Sequence, residues 1–123
     1  MSASEKSKEK PRTSAFYVMM KGMKKVKITS VKQVIHQDLI DRYENPISEP
    51  CTMEVGQMYI CENLEKPDGF CESAWQTLYP FVMVLAYGGK DIYSGWMKNE
   101  NSAMISCNDG FRPMSFLLEG IDE

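Results

Sequence analysis

A chain of 123 residues with 43% hydrophobic and 11% aromatic residues has room for one hydrophobic core, and that apolar share excludes disorder of the whole chain. Charge is uneven: residues 1–25 carry seven basic and two acidic side chains, +5, whereas the rest carries seven basic and fifteen acidic ones, −8. An acidic body repels phosphate backbones, which argues against a nucleic-acid partner, and the longest apolar run, Phe81–Ala86, is far short of the roughly 18 residues that a membrane helix needs.

The first segment, MSASEKSKEKPRTS, holds too little apolar surface to offset the entropy of ordering it. A disordered basic tail is therefore expected over residues 1–22, ahead of a single domain at residues 23–123. The apolar block Ala15–Met20 is only six residues long and has no small-residue cleavage site behind it, so no secretion signal is expected. Four cysteines without such a signal are expected to be reduced thiols, metal ligands or catalytic groups in the cytoplasm rather than a disulfide framework.

From Lys25, KVKITSVKQVI alternates, with Val26, Ile28 and Ser30 on one face, and predicts a first strand. DLIDRY predicts a short helix, with Asp38 placed to cap it and Pro46 beyond its end. After the irregular NPISEPC, a turn at Val55 and Gly56 leads into a strand over Gln57–Cys61. KPDGF is a turn, in which Pro67 presets φ and Gly69 supplies conformations that other residues avoid.

A long helix follows, because Cys71, Trp75, Leu78, Val82 and Leu85 recur at steps of four, three, four and three. Pro80 deletes a backbone donor, so a kink or a split into two helices is expected near Tyr79, and Gly88 with Gly89 ends the element. KDIYSGWMKNEN reads as a surface loop. Ala103–Cys107 and Pro113–Leu118 are then two strands of a hairpin reversed at Asp109-Gly110. The predicted fold is α+β: a mainly antiparallel sheet of about four strands with one long kinked helix and one short helix.

Dinucleotide and nucleoside-triphosphate fingerprints, GxSxG, HExxH and CxxC are all missing from the sequence. Cys71 stands in the first turn of the predicted long helix, where unpaired N–H groups and the helix dipole favour a thiolate. It also begins the apolar stripe, so a plain core role competes equally with a nucleophile or a ligand. Cys51 lies in a loop, and Cys61 and Cys107 end strands. The intervals of ten, ten and thirty-six residues match no zinc-finger spacing.

His36, the single histidine, is a candidate base beside Asp38, against the plainer reading of a solvated or capping residue. Asp109 and Arg112 share one turn, in which an Asp bonding its own backbone and an Arg paired with it compete with a clamp for a substrate carboxylate. Ten methionines raise copper, but Met58, Met83, Met104 and Met114 sit on strand or helix faces where filling the core is the expected job. Trp75, Tyr79 and Trp96 are candidates to line a pocket for a planar ligand.

The segments KKVKITSVK, DLIDRY, EPCTMEVGQMYI, KPDGFCESAWQTLYPFVMVLAYGG and SCNDGFRPMSFLLEGI, and within them the GFCxxAW and CxDGxRP patterns, resemble a family of small uncharacterised prokaryotic proteins found mostly in anaerobes. The likeness spans roughly Lys24 to Ile121. It implies no activity, but its pattern includes cysteines that match Cys51, Cys71 and Cys107, together with Trp75, Gly110 and Arg112. The chain departs from it at Ser106, where relatives often carry a second Cys, and at Ser73, where they often carry an aromatic residue.

Residues and resemblance together give a leading expectation of a small cytoplasmic binding or accessory protein. In it Cys51, Cys71 and Cys107 meet near the start of the long helix as a thiolate metal site for Zn or Fe, or as reactive thiols. The first alternative is a cofactor-independent isomerase or lyase using Cys71 or His36 as base, with Asp109 at the rim and Arg112 holding an anionic small molecule. The second is a structural interaction module, homo-oligomeric through an exposed strand edge. The expected partners are thus a small-molecule ligand, a protein or a second copy, with no nucleic acid and no membrane.

Overall fold

The structure is a computed structural model that describes residues 23–49, 51 and 53–122; the tail expected at residues 1–22 lies outside the described residues. The elements run β1 (Lys25–Gln33), α1 (Gln37–Tyr43), β2 (Met58–Cys61), α2 (Glu72–Ala86), β3 (Ser102–Ser106) and β4 (Met114–Ile121). The four strands form one sheet in the order β2-β1-β4-β3, with every neighbouring pair antiparallel. This is the expected α+β class, and no described helix is long and apolar enough to cross a membrane.

The period-2 pattern of β1 sends Val26, Ile28 and Ser30 inward, all fully buried. Opposite them β4 turns in Met114, Phe116 and Leu118, and the β1–β4 register shifts between Ser30 and Lys32, leaving Val31 as the extra residue of a bulge. The helix α2 lies across this face, with Ala74, Trp75, Leu78, Val82, Leu85 and Ala86 buried, so the 3.6-residue stripe meets the strand alternation in one core. The buried Ser30 is fully engaged: its Oγ donates to Glu54 O (2.6 Å) and accepts from Gln57 N (3.0 Å), tying the Val55–Gly56 turn to the central strand.

The split expected near Tyr79 does not occur, because α2 is continuous from Glu72 to Ala86. Pro80 sits on the exposed face, where the carbonyl deprived of its donor is open to water, and a kink there has no support in this unbroken element. The helix closes as expected at the glycine pair: Gly88, at φ +87°, donates to Leu85 O (3.0 Å) and Gly89 to Val84 O (2.8 Å).

Two further expectations are corrected. Asp38 is not the cap of α1; His36 occupies that position without a side-chain cap bond, and Asp38 lies within the first turn, where its charge suits the helix dipole. Core filling by methionine holds for Met114, at 1% exposure, but Met58, Met83 and Met104 stand on outward faces because their positions are out of phase with the buried stripe. Ile60 and Met58 on β2 and Met104 on β3 leave apolar side chains exposed on both edge strands.

Candidate functional site

The turn Pro67–Phe70 sets where α2 begins. Phe70 N donates to Pro67 O (3.1 Å), Gly69 takes φ +79°, and the Phe70 ring is buried edge-on to Tyr59 (4.9 Å between centroids) and beside Phe116 (5.3 Å). With Phe70 anchored, Cys71 becomes the N-cap of α2 rather than a residue of its first turn. Its Sγ accepts from Ala74 N (3.5 Å), so sulfur occupies the place that a Ser or Asp oxygen usually takes.

Across from the helix start, β3 and β4 are joined by residues 107–113. The expected hairpin is present, with the connection one residue longer at each end than the NDGFR segment. Asp109 Oδ1 accepts from Phe111 N (2.8 Å) and Arg112 N (3.1 Å), which makes the side chain the organiser of the turn, and Gly110 takes no left-handed φ. At the loop's base Cys107 N donates to Met114 O (2.9 Å) and Met114 N donates to Cys107 Sγ (3.3 Å), so the sulfur closes the end of the ladder. Ser73 Oγ donates to Asn108 Oδ1 (2.8 Å), pinning the first turn of α2 against the hairpin loop.

Between these two pieces and the segment around Cys51 and Met53 lies a cavity of about 220 Å³. Cys51, Cys71 and Cys107 all line it; Ala74, Met114 and Phe116 form its apolar base; and Ser73, Asn108 and Asp109 complete its wall. Cys51 is exposed, and Cys71 and Cys107 are half-buried. The fourth cysteine is excluded: Cys61 is 1% exposed, donates through Sγ to Glu65 O (3.3 Å), and has its thiol pushed up to about 11, first by burial and then by the charges of Glu65 and Glu62.

Cys51, Cys71 and Cys107 thus share the lining of one cavity. Among the described residues, however, no group of three or more His, Cys, Asp or Glu side chains is placed to hold a metal ion, so the three thiols do not form a zinc or iron ligand set.

Of the residues proposed for catalysis, Cys71 and Asp109 reach the cavity, and His36 and Arg112 do not line it. His36 N donates to Phe111 O (2.9 Å), which places the residue behind the hairpin loop. The Arg112 guanidinium is engaged bidentately by Glu44, Nη1 to Oε2 at 3.1 Å and Nη2 to Oε1 at 2.9 Å, and these bonds hold its pKa above the ordinary value. Arg112 thus ties the end of α1 to the hairpin loop; it is paired with a carboxylate, but its partner is Glu44 rather than Asp109.

The three aromatics divide. Trp75 and Tyr79 face a shallow groove with Gln76, whereas Trp96 packs with Tyr93 (5.2 Å between centroids) on the 90–101 loop. Sequence reading missed Met53 as a cavity residue; it belongs to no periodic segment, and only its place two residues after Cys51 hints at it. Comparisons of the chain with protein-family models, with curated proteins and with solved structures found no match, so the functional reading stands on this geometry.

Proposed function

We propose that the protein is a small binding or accessory module whose working groups are the thiols of the cavity between the α2 start and the β3–β4 loop. The observation that carries this reading is selective convergence: Cys51, Cys71 and Cys107, widely separated in sequence, line one cavity, while Cys61 is sealed in the core. Cys71 and Cys107 each accept an amide N–H, which fixes the sulfurs without consuming their capacity to bond a ligand. The enzyme alternative keeps Cys71 and Asp109 in the cavity but has neither His36 nor Arg112 among the lining residues. Four free thiols suit a reducing cytoplasmic compartment, and the resemblance to the small prokaryotic family supports the same three cysteines.

The test is alkylation of the native, reduced protein with iodoacetamide, mapped residue by residue by mass spectrometry. Cys51, Cys71 and Cys107 are expected to react roughly tenfold faster than Cys61 or more, as open thiols do relative to buried ones. A label on Cys71 is expected to slow labelling of Cys107, because the two share one space. Equal rates at Cys61 and Cys71, or labelling of Cys71 and Cys107 only after unfolding, would overturn the reading.

A further inference from the structure

We propose that the cavity takes a soft monovalent metal cation, copper(I), held between the sulfurs of Cys71 and Cys107 with the Met53 thioether as third donor. This rests on the thiol-cavity reading above and names its ligand class.

The composition of the lining is the first observation. Five of its ten residues, Cys51, Met53, Cys71, Cys107 and Met114, carry sulfur, although only 14 of the chain's 123 residues do. Among the described residues, no histidine, lysine or arginine lines the cavity, so an anionic ligand would meet no opposite charge. Its one carboxylate, Asp109, has an oxygen committed to two backbone amides, which leaves far fewer oxygen donors than the six to eight that a calcium ion takes. Thiolate and thioether donors in an apolar space are the set that selects Cu(I) over harder cations.

The second observation concerns number and placement. A structural zinc site needs four donors, and among the described residues no three Cys, His, Asp or Glu side chains are placed to hold a metal ion together. Copper(I) is satisfied by two or three soft donors, and a methionine serves as one of them. Cys71 and Cys107 line the cavity from two segments that the fold ties directly, because Ser73, two residues after one, bonds Asn108, next to the other, at 2.8 Å. Ala74 N at 3.5 Å from Cys71 Sγ and Met114 N at 3.3 Å from Cys107 Sγ point positive N–H dipoles at the sulfurs, offsetting the negative charge of a dithiolate complex. Met53 is half-buried and accessible from the cavity, whereas Met114, at 1% exposure, is part of the core.

The binding step balances without a redox change. Two thiols release two protons to solvent, two sulfur–copper bonds form, and copper enters and stays as Cu(I), giving a complex of charge −1.

The experiment titrates the full chain, reduced and without oxygen, with Cu(I) against the chelator bathocuproine disulfonate, reading copper retained per chain and the near-ultraviolet thiolate-to-copper absorption. One Cu(I) per chain is expected. Cys71→Ser and Cys107→Ser are each expected to weaken retention by more than the roughly 10- to 100-fold that losing an outer-sphere partner costs, and Met53→Leu by less than either. Serine is a preferred N-cap, so Cys71→Ser keeps α2 capped and tests the sulfur rather than the fold. Retention unchanged in the Cys71 and Cys107 variants, or Zn(II) held as tightly as Cu(I), would overturn the proposal. No copper retained by protein whose Cys71 and Cys107 still alkylate rapidly would overturn the copper assignment alone, whereas slow alkylation as well would overturn the cavity reading beneath it.

Discussion

Cys61 and Cys71 stand ten residues apart on either side of one turn, and their sulfurs end in different surroundings, one in the core and one on the cavity. Cys61 closes β2 inside the core and donates its S–H to the Glu65 carbonyl at 3.3 Å. Cys71 caps α2 at the mouth of the cavity and accepts an amide N–H, as Cys107 does across from it. Burial holds the Cys61 sulfur as a neutral thiol, pushing it up to about 11 against the opposing backbone hydrogen bond at Leu64. Cys71 and Cys107 instead line a cavity that a ligand can enter. The difference is made by the Pro67–Phe70 turn, which buries Phe70 and thereby swings the next residue out of the core to the helix start.

The sharpest way to break this comparison is to raise the pH. A thiol with an ordinary value of 9.0 raised to about 11 by folding contributes its full stabilisation below pH 9.0 and loses it as the pH climbs through about 11. Over that window the loss at Cys61 is roughly 2 to 3 kcal/mol, since each tenfold change in proton affinity is worth about 1.4 kcal/mol. Urea unfolding of the wild type and of Cys61→Ala at both ends of the window should therefore show the variant losing less stability by about that amount. A parallel loss in both proteins would show that Cys61 is not sealed.

A smaller effect sharpens the other side. Ser73→Ala removes the bond to Asn108 and is expected to cost about 0.5 kcal/mol, the low end for a hydrogen bond at an exposed site. Its clearer signature is local: hydrogen exchange should quicken at the Cys107–Arg112 amides and leave β1 unchanged. Unchanged exchange in the hairpin loop would mean that the Asp109 turn holds the cavity wall alone.

Much of this architecture is legible in the sequence because short periods report on burial directly. Val26, Ile28 and Ser30 at period 2, and Trp75, Leu78, Val82 and Leu85 at helical spacing, each name a buried face, and Gly88-Gly89 names its end. The misread positions are those where a long-range partner decides. Glu44 takes Arg112 across 68 residues, which no local pattern reveals and which turns a candidate clamp into a strut. Pro80 reads as a break until its exposed position on α2 is known. The trio of cysteines is accessible only through resemblance, since intervals of twenty and thirty-six residues carry no geometry of their own.

Cys71 and Cys107 line one shared cavity from two separate segments of the fold. Dibromobimane, a short reagent with two thiol-reactive arms, measures this directly. The native reduced protein should give a single internal bridge between Cys71 and Cys107, with Cys61 unmodified. Single labels without a bridge, or a bridge that forms only in urea, would contradict the account.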